Sequence, residues 1–206
     1  MIRYIPKEWK KLNLGCNNHP ISVNNWTNVD YYPFPGIDEV ANLNNPWPWK
    51  DSTINYIRAI DIVEHLIDPI KTMHQAWKCL DNGGIFEIWV PSTDGRGAFQ
   101  DPTHVSYWNA NSFQYYDQRK LAKLYPGTIT CDFDIVSYDT IKNEDGVIWS
   151  WALCRVVKNI TKAPCISNQW WEALSIFNNI ATMVPSWGEE SLGTMPADLV
   201  RNLFQK

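Results

Sequence analysis

Lys11-Leu12-Asn13-Leu14-Gly15-Cys16-Asn17-Asn18 is a short apolar run that breaks at a glycine, and the next such run, Trp26-Thr27-Asn28-Val29, ends in Asp30. A glycine turn lets backbone N–H groups approach a ligand with no Cβ in the way. A carboxylate at the tip of the neighbouring strand can accept both hydroxyls of a ribose. Strand, glycine turn, strand and acid together form the layout of a nucleoside-binding α/β sheet. The pair alone is equally compatible with an ordinary turn followed by a surface aspartate. A second chemistry-bearing stretch is Pro91-Ser92-Thr93-Asp94-Gly95-Arg96-Gly97-Ala98-Phe99-Gln100-Asp101-Pro102-Thr103-His104. It is polar and follows an apolar run, and ligands of open α/β sheets bind beyond the carboxyl ends of the strands. His104 could take a proton as a general base, with Asp101 to orient it. The plainer alternative has His104 bracing the loop by a backbone hydrogen bond and Asp101, before Pro102, acting as a turn residue.

These residues need elements to hold them. Strand-like runs fall at 11–14, 26–30, 39–43, 56–62 and 85–90, and the last two are apolar enough to be buried on both faces, as in a parallel sheet. Only a short connection, containing Pro20, separates the first two, so the helix of that crossover is short or absent. The clearest helix follows Asp68, a good N-cap, and Pro69, which suits the first helical position. Its apolar stripe is Ile70, Met73, Trp77 and Leu80, and Asp81-Asn82-Gly83-Gly84 stops it. A second helix is expected over 112–124. Residues 133–138 and 147–157 read as a hairpin around Asn143-Glu144-Asp145-Gly146. Beyond Pro164 the pattern becomes helical, over 169–184 and again over 196–204. The expected division is a domain over 1–164 and a helical C-terminal extension over 165–206.

The whole chain narrows the classes. Its 206 residues suffice for one well-buried core with an appendage. A net charge of −4 and a charged content of 19% argue against a broad basic surface, so nucleic acid is not expected as a partner. Twelve tryptophans point first to core packing and second to an aromatic-walled ligand site. The 5 cysteines show no C-x-x-C pair and the 4 histidines are scattered, so no structural zinc site is expected. Free thiols in a reducing cytoplasm fit that pattern. No segment approaches the roughly twenty apolar residues that cross a bilayer, and the N-terminus does not read as a signal or transit peptide.

Leu12-Asn13-Leu14-Gly15-Cys16, Asn28-Val29-Asp30, Asp61-Ile62-Val63-Glu64-His65-Leu66-Ile67-Asp68-Pro69 and Leu80-Asp81-Asn82-Gly83-Gly84 follow one another in this order. Their spacing resembles the class I S-adenosylmethionine-dependent methyltransferases over about residues 10 to 157. The resemblance implies an α/β, Rossmann-like, seven-stranded and mostly parallel sheet of order 3-2-1-4-5-7-6. Strand 7 is the antiparallel one, and helices flank the sheet. It implies S-adenosylmethionine as cofactor. Gly15, Cys16 and Asn17 would pass under its methionine part, Asp30 would bind the ribose, and Tyr31 would pack near the adenine. Asn42 and Leu43 would meet the adenine ring, and Ile60 and Asp61 would line the cofactor beside the transferred methyl. Asn17 stands where the family usually has a further glycine, but Asn tolerates positive φ, so the turn is expected to survive.

Methyl transfer needs an acceptor aligned with the methyl carbon, and a general base is optional. Glu64-His65 has no second histidine at i+4, so the zinc-protease spacing fails and no metal is expected. Glu64 is read as structural and His65 as facing the cofactor cleft. His19 and His74 are read as surface residues, and Cys16 as a packing residue. The expected activity is methylation at oxygen or nitrogen of a small-molecule polar acceptor, by a monomer or homodimer. Two alternatives stay open. One is a non-catalytic nucleoside-binding module of the same fold. The other is a nicotinamide-dependent oxidoreductase, against which stands the lack of G-x-G-x-x-G.

Overall fold

All four residues of strand β1 (Lys11–Leu14) are buried, as befits the middle of a sheet covered on both faces. The computed structural model describes residues 5–158 apart from Asn24 and Glu144. Even Lys11 is buried, and its Nζ donates to the carbonyls of Pro6 (2.8 Å) and Lys7 (3.3 Å). Burial lowers the pKa of this ammonium. β1 is followed by β2 (Trp26–Asp30), β3 (Glu39–Val40), β4 (Ile54–Ile60), helix α1 (Pro69–Cys79), β5 (Leu80–Pro91), the one-turn helix α2 (Gly97–Gln100), and the strands β6 (Phe133–Lys142) and β7 (Ile148–Val156). They form one seven-stranded sheet of order β3-β2-β1-β4-β5-β7-β6. β1 to β5 are parallel to one another, while β7 is antiparallel to both β5 and β6. The expected topology is the observed one.

Period-two alternation divides the sheet residues between two cores. Ile57, Ala59, Phe86, Ile88, Ala152 and Cys154 belong to the core that also holds Met73 and Ala76 of α1. Tyr56, Ile85, Trp89, Trp151 and Leu153 belong to the other, with Trp9. There Trp89 and Trp151 stack at 5.5 Å, and the Tyr56 hydroxyl and Trp89 Nε1 donate to the buried carboxylate of Glu87. Burial favours the neutral acid, but the Arg58 charge and these donors outweigh it and hold Glu87 below the usual range. Of the nine described tryptophans, Trp9, Trp89, Trp108 and Trp151 are buried, so packing is their main use.

Several elements differ from expectation for local reasons. α1 begins as expected, with Asp68 accepting from the Lys71 N–H at 2.9 Å. Its buried face, however, is Thr72, Met73, Ala76 and Cys79, with Ile70 and Trp77 half-buried beside it. The helix stops at Cys79, and β5 starts at once, before the turn at Gly83 (φ +80°) that was expected to do the stopping. The third strand is only two residues long, and the fourth ends at Ile60 because Asp61 turns into the left-handed region (φ +48°). No continuous helix spans 112–124. Two 3₁₀ segments, Ala110–Tyr116 and Ala122–Leu124, stand there instead. Asn109 caps the first, and buried Asp117 ends it by accepting from the backbone N–H of Arg119 at 2.9 Å, a local bond that competes with helix continuation. Between β1 and β2 the residues described carry turns and bends but no helix, as expected. In its place Asn28 and Asp38 make a polar network: Asn28 Oδ1 accepts from the Ile21 N–H (2.7 Å) and from Asn13 Nδ2 (3.1 Å), and Asp38 Oδ2 accepts from the Asn28 N–H (2.7 Å).

Cys16, Cys79, Cys131 and Cys154 are free and buried. Cys165 and the expected extension over 165–206 lie outside the described residues. Among the described residues no helix is long and apolar enough to cross a membrane.

Tyr56→Phe removes a donor from a buried carboxylate while keeping the ring. The substitution should cost about 1–3 kcal/mol in urea unfolding, with little change in the sheet's circular dichroism.

Candidate functional site

The turn after β1 is shaped by its neighbours on both sides. Gly15 has φ +63°, and a Cβ there would fall 2.5 Å from Cγ1 of Ile62, so only glycine fits. The N–H groups of Gly15 and Cys16 both donate to the Val29 carbonyl, at 2.8 and 3.3 Å. Asn17 takes φ +50°, and the turn therefore survives the loss of the second glycine. Its N–H donates to Asp30 Oδ2 at 2.8 Å, while Oδ1 accepts from the Tyr32 N–H at 3.0 Å. Asp30 is thus tied to the turn at the tip of β2. An ionised carboxylate has about four lone-pair sites, and with one used on each oxygen Asp30 can still accept two hydroxyls.

β4 leaves the sheet next to this turn. Asp61 Oδ1 accepts from Trp149 Nε1 at 2.8 Å, and burial raises its pKa, against the pull of that hydrogen bond and of His104 and His65. A 3₁₀ turn, Val63–His65, follows. The segment leaving β5 is bound to it: the Glu64 carbonyl accepts from the N–H groups of Val105 (2.9 Å) and Ser106 (3.0 Å), and Ser106 Oγ donates to the Val63 carbonyl at 3.1 Å.

That attachment gathers three side chains. One ligand-capable atom each of Glu64, His65 and His104 lies within 4.8 Å of the others, and the two imidazoles meet edge to face at 4.8 Å. His104 Nδ1 is 3.0 Å from the Ala98 carbonyl, which can only accept, so in the neutral ring Nδ1 carries the hydrogen and Nε2 presents a lone pair. Nε2 lies 3.9 Å from Glu64 Oε1 and 3.9 Å from Asp101 Oδ2. His65 Nδ1 faces the Thr103 carbonyl (3.3 Å) and hydroxyl (3.0 Å). The Glu64 side chain is buried, and neither of its oxygens has a hydrogen-bond partner. Burial, helped by the neighbouring charge of Asp61, pushes this carboxyl up to about 8.

The residues singled out in the sequence have mixed fates. Gly15, Cys16, Asn17 and Asp30 come together at one turn. Leu43 is buried, and Tyr31 is exposed with its ring edge-on to Tyr32. Asn42 is exposed, but its Oδ1 accepts from the Asn44 N–H at 3.0 Å, so that oxygen already has a partner. Ile60 packs on the tryptophan-bearing core, and Asp61 and Ile62 are the β4-exit residues nearest the cluster and the turn. Asp101 does not hydrogen-bond His104. Its Oδ1 instead accepts from the Thr103 N–H (2.8 Å) and hydroxyl (2.7 Å), the turn role that was the alternative, and the Ala98 carbonyl orients the imidazole. Glu64 is buried beside His65, and His104 comes next to both from another loop, a juxtaposition that sequence spacing cannot reveal. His19 is exposed as expected, whereas His74 is half-buried against Trp77. Thr103 was not singled out, although the Asp-Pro-Thr-His run marks a turn that would carry it. A separate groove of about 280 Å³, lined by Tyr107, Tyr115, Tyr116 and Tyr125 among others, includes none of the residues expected to hold the cofactor.

The sequence matches no family model and no curated protein. Solved structures do match. A SAM-dependent methyltransferase from Methanosarcina mazei is 11% identical over 76% of this chain and 96% of its own, with a TM-score of 0.52. One from Archaeoglobus fulgidus is 12% identical over 72% and 87%, with a TM-score of 0.52. The Burkholderia thailandensis 1,6-didemethyltoxoflavin-N1-methyltransferase, with 1,6-didemethyltoxoflavin and S-adenosylhomocysteine bound, is 11% identical over 73% and 72%, with a TM-score of 0.53. With the strand order above, these similarities define the chain's fold as that of the class I S-adenosylmethionine-dependent methyltransferases.

Gly15→Ala should destabilise the protein by about 1–3 kcal/mol through positive φ and the clash with Ile62. In a thermal-melt double-mutant cycle, adding Ile62→Ala should recover part of that loss by removing the clash, leaving only the backbone term.

Proposed function

We propose that the protein transfers a methyl group from S-adenosylmethionine to oxygen or nitrogen of a small polar acceptor. The observation that carries this reading is Asp30, buried at the tip of β2, clamping the β1 turn through Asn17 while keeping acceptor capacity on both oxygens. A ribose needs that capacity, so the residues fit the cofactor. Asp30 would take its hydroxyls, and the turn at Gly15 to Asn17 would lie under its methionine part. Leu43 and Tyr31 would contact the adenine, and Asn42 would offer its NH₂ to a ring nitrogen. When bound, the cofactor supplies a methyl group already activated on a sulfonium.

The chain's own task is then to position the acceptor and accept its proton. Asp61, at the β4 exit, is held in place by Trp149 and borders the acceptor side. His104 presents an Nε2 lone pair beside Glu64 and His65, which suits proton acceptance there. Asp101 holds Thr103, and Thr103 holds His65, so these two act as positioning residues. A reducing cytoplasm suits the four buried free thiols. The net charge of −4 supports a small-molecule acceptor over nucleic acid.

Two measurements test the proposal. Asp30→Ala should weaken S-adenosylmethionine binding at least about tenfold by calorimetry, since each charge-assisted hydrogen bond is worth about 1.5–3 kcal/mol. An unchanged dissociation constant, or NAD binding in its place, would overturn the cofactor assignment. With an acceptor in hand, His104→Ala should lower turnover by roughly 10²–10⁴-fold and leave cofactor affinity nearly unchanged.

A further inference from the structure

The side chain of Glu64 is an unusual thing to bury. It is 2% exposed, neither oxygen is hydrogen-bonded, and among the described residues no lysine or arginine pairs with it. Its charged neighbours are further carboxylates, Asp61 and Asp101. A buried carboxyl without partners is costly to ionise unless a cation joins it. The groups that do face it are the two imidazoles, and both are arranged as metal ligands usually are. In each ring Nδ1 is turned to an acceptor on the protein, Ala98 carbonyl for His104 and Thr103 for His65. The Thr103 hydroxyl gives its own hydrogen to Asp101 at 2.7 Å, leaving its oxygen free to accept from His65. Both Nε2 lone pairs are therefore left free. A carboxylate–threonine–histidine chain and a carbonyl–histidine pair are the outer contacts that orient metal-binding imidazoles and fix their tautomer.

We infer that Glu64, His65 and His104 bind a divalent transition-metal ion on the acceptor side of the cleft. The donor set, two neutral nitrogens and one carboxylate, suits ions of the manganese-to-zinc series better than magnesium or calcium, which prefer all-oxygen sites. One ligand-capable atom from each of the three residues now lies within 4.8 Å of the others. Ligands about 2.0–2.2 Å from one ion stand about 3–4 Å apart, so closing by less than about an ångström completes the shell. Three protein ligands leave coordination positions open, and an acceptor hydroxyl or carboxylate oxygen can take one of them. Asp61 and Asp101 add negative charge nearby, which favours the cation further.

The inference deepens the proposed methyl transfer and changes one role within it: His104 Nε2, once bound to the ion, is a ligand and not the proton acceptor, and the ion favours oxygen as the atom the acceptor presents. It rests on that reading only for the name of the cleft. Binding of the ion can be measured with neither cofactor nor acceptor, so its failure and the failure of methyl transfer are separable. The full-length chain, stripped with a chelator and dialysed, should bind one equivalent of Mn²⁺, seen as loss of the free-ion paramagnetic resonance signal. Co²⁺ at the same site should give a visible absorption spectrum of an ion with nitrogen ligands. Glu64→Gln, His65→Ala and His104→Ala should each weaken Mn²⁺ binding more than tenfold. Thr103→Val, which removes only the hydroxyl behind His65, should weaken it less. If His104→Ala fails to fold, His65→Ala and pulsed paramagnetic resonance of bound Mn²⁺ carry the test, the latter through coupling to two imidazole nitrogens. No binding of either ion at millimolar concentration, or binding that all folded variants retain, overturns the site.

Discussion

The Ile62 side chain lies so near Gly15 that a Cβ there would meet it at 2.5 Å, so the β1 turn and the β4 exit are fitted to one another. This contact is the constraint on which the cleft rests. It forces a residue without a side chain at the first position and leaves the turn's backbone open above it. It also fixes where β4 must leave the sheet, and Asp61 adopts a left-handed conformation to do so. The β1 turn and the β4 exit, which the proposed function assigns to the cofactor and the acceptor, meet at that point. Asp30 then ties the turn to β2, and the Glu64 carbonyl ties the exit to the segment after β5. Few of these ties involve a side chain that a sequence would advertise, because most are backbone groups completing their own hydrogen bonds.

Where short-range chemistry decides, the sequence was readable. β1 and β2 have the bounds their apolar runs suggested, and Asp68-Pro69 began α1 as a capping residue and proline should. The hairpin of β6 and β7 followed from the turn at Asn143 and Gly146, where Asn143 Oδ1 accepts from the Val147 N–H at 2.8 Å. Asn17 kept the turn because its side chain is compatible with positive φ.

What was not readable arises from contacts between distant segments. Nothing local marks Asn13, Asn28 and Asp38 as the network that stands in for a helix, since each alone is an ordinary polar residue. The run after Asn109 has helical spacing, but Asp117 satisfies local backbone donors and breaks it. Glu64 and His65 looked incomplete as a metal motif because their partner His104 arrives by way of a loop, brought there by the Val105 and Ser106 N–H groups. Spacing rules describe residues carried on one helix, and here the three side chains are assembled by the loops at the edge of a sheet.

The buried thiols have a consequence for how long the molecule keeps its shape. Burial pushes Cys16 up to about 11 and Cys79 and Cys131 up to about 12, and raises Cys154 further still. In the folded chain they are therefore almost wholly protonated at neutral pH and shielded from electrophiles. Alkylating reagents must wait for an opening of the structure, and each cysteine waits for a different one. Cys16 needs only the β1 turn to loosen, whereas Cys154 sits on β7 within the core that also holds Met73, Trp108 and Phe113, and needs the layer covering that face of the sheet to lift. The four sulfur atoms thus act as a set of clocks, each recording how often its own region of the protein comes apart.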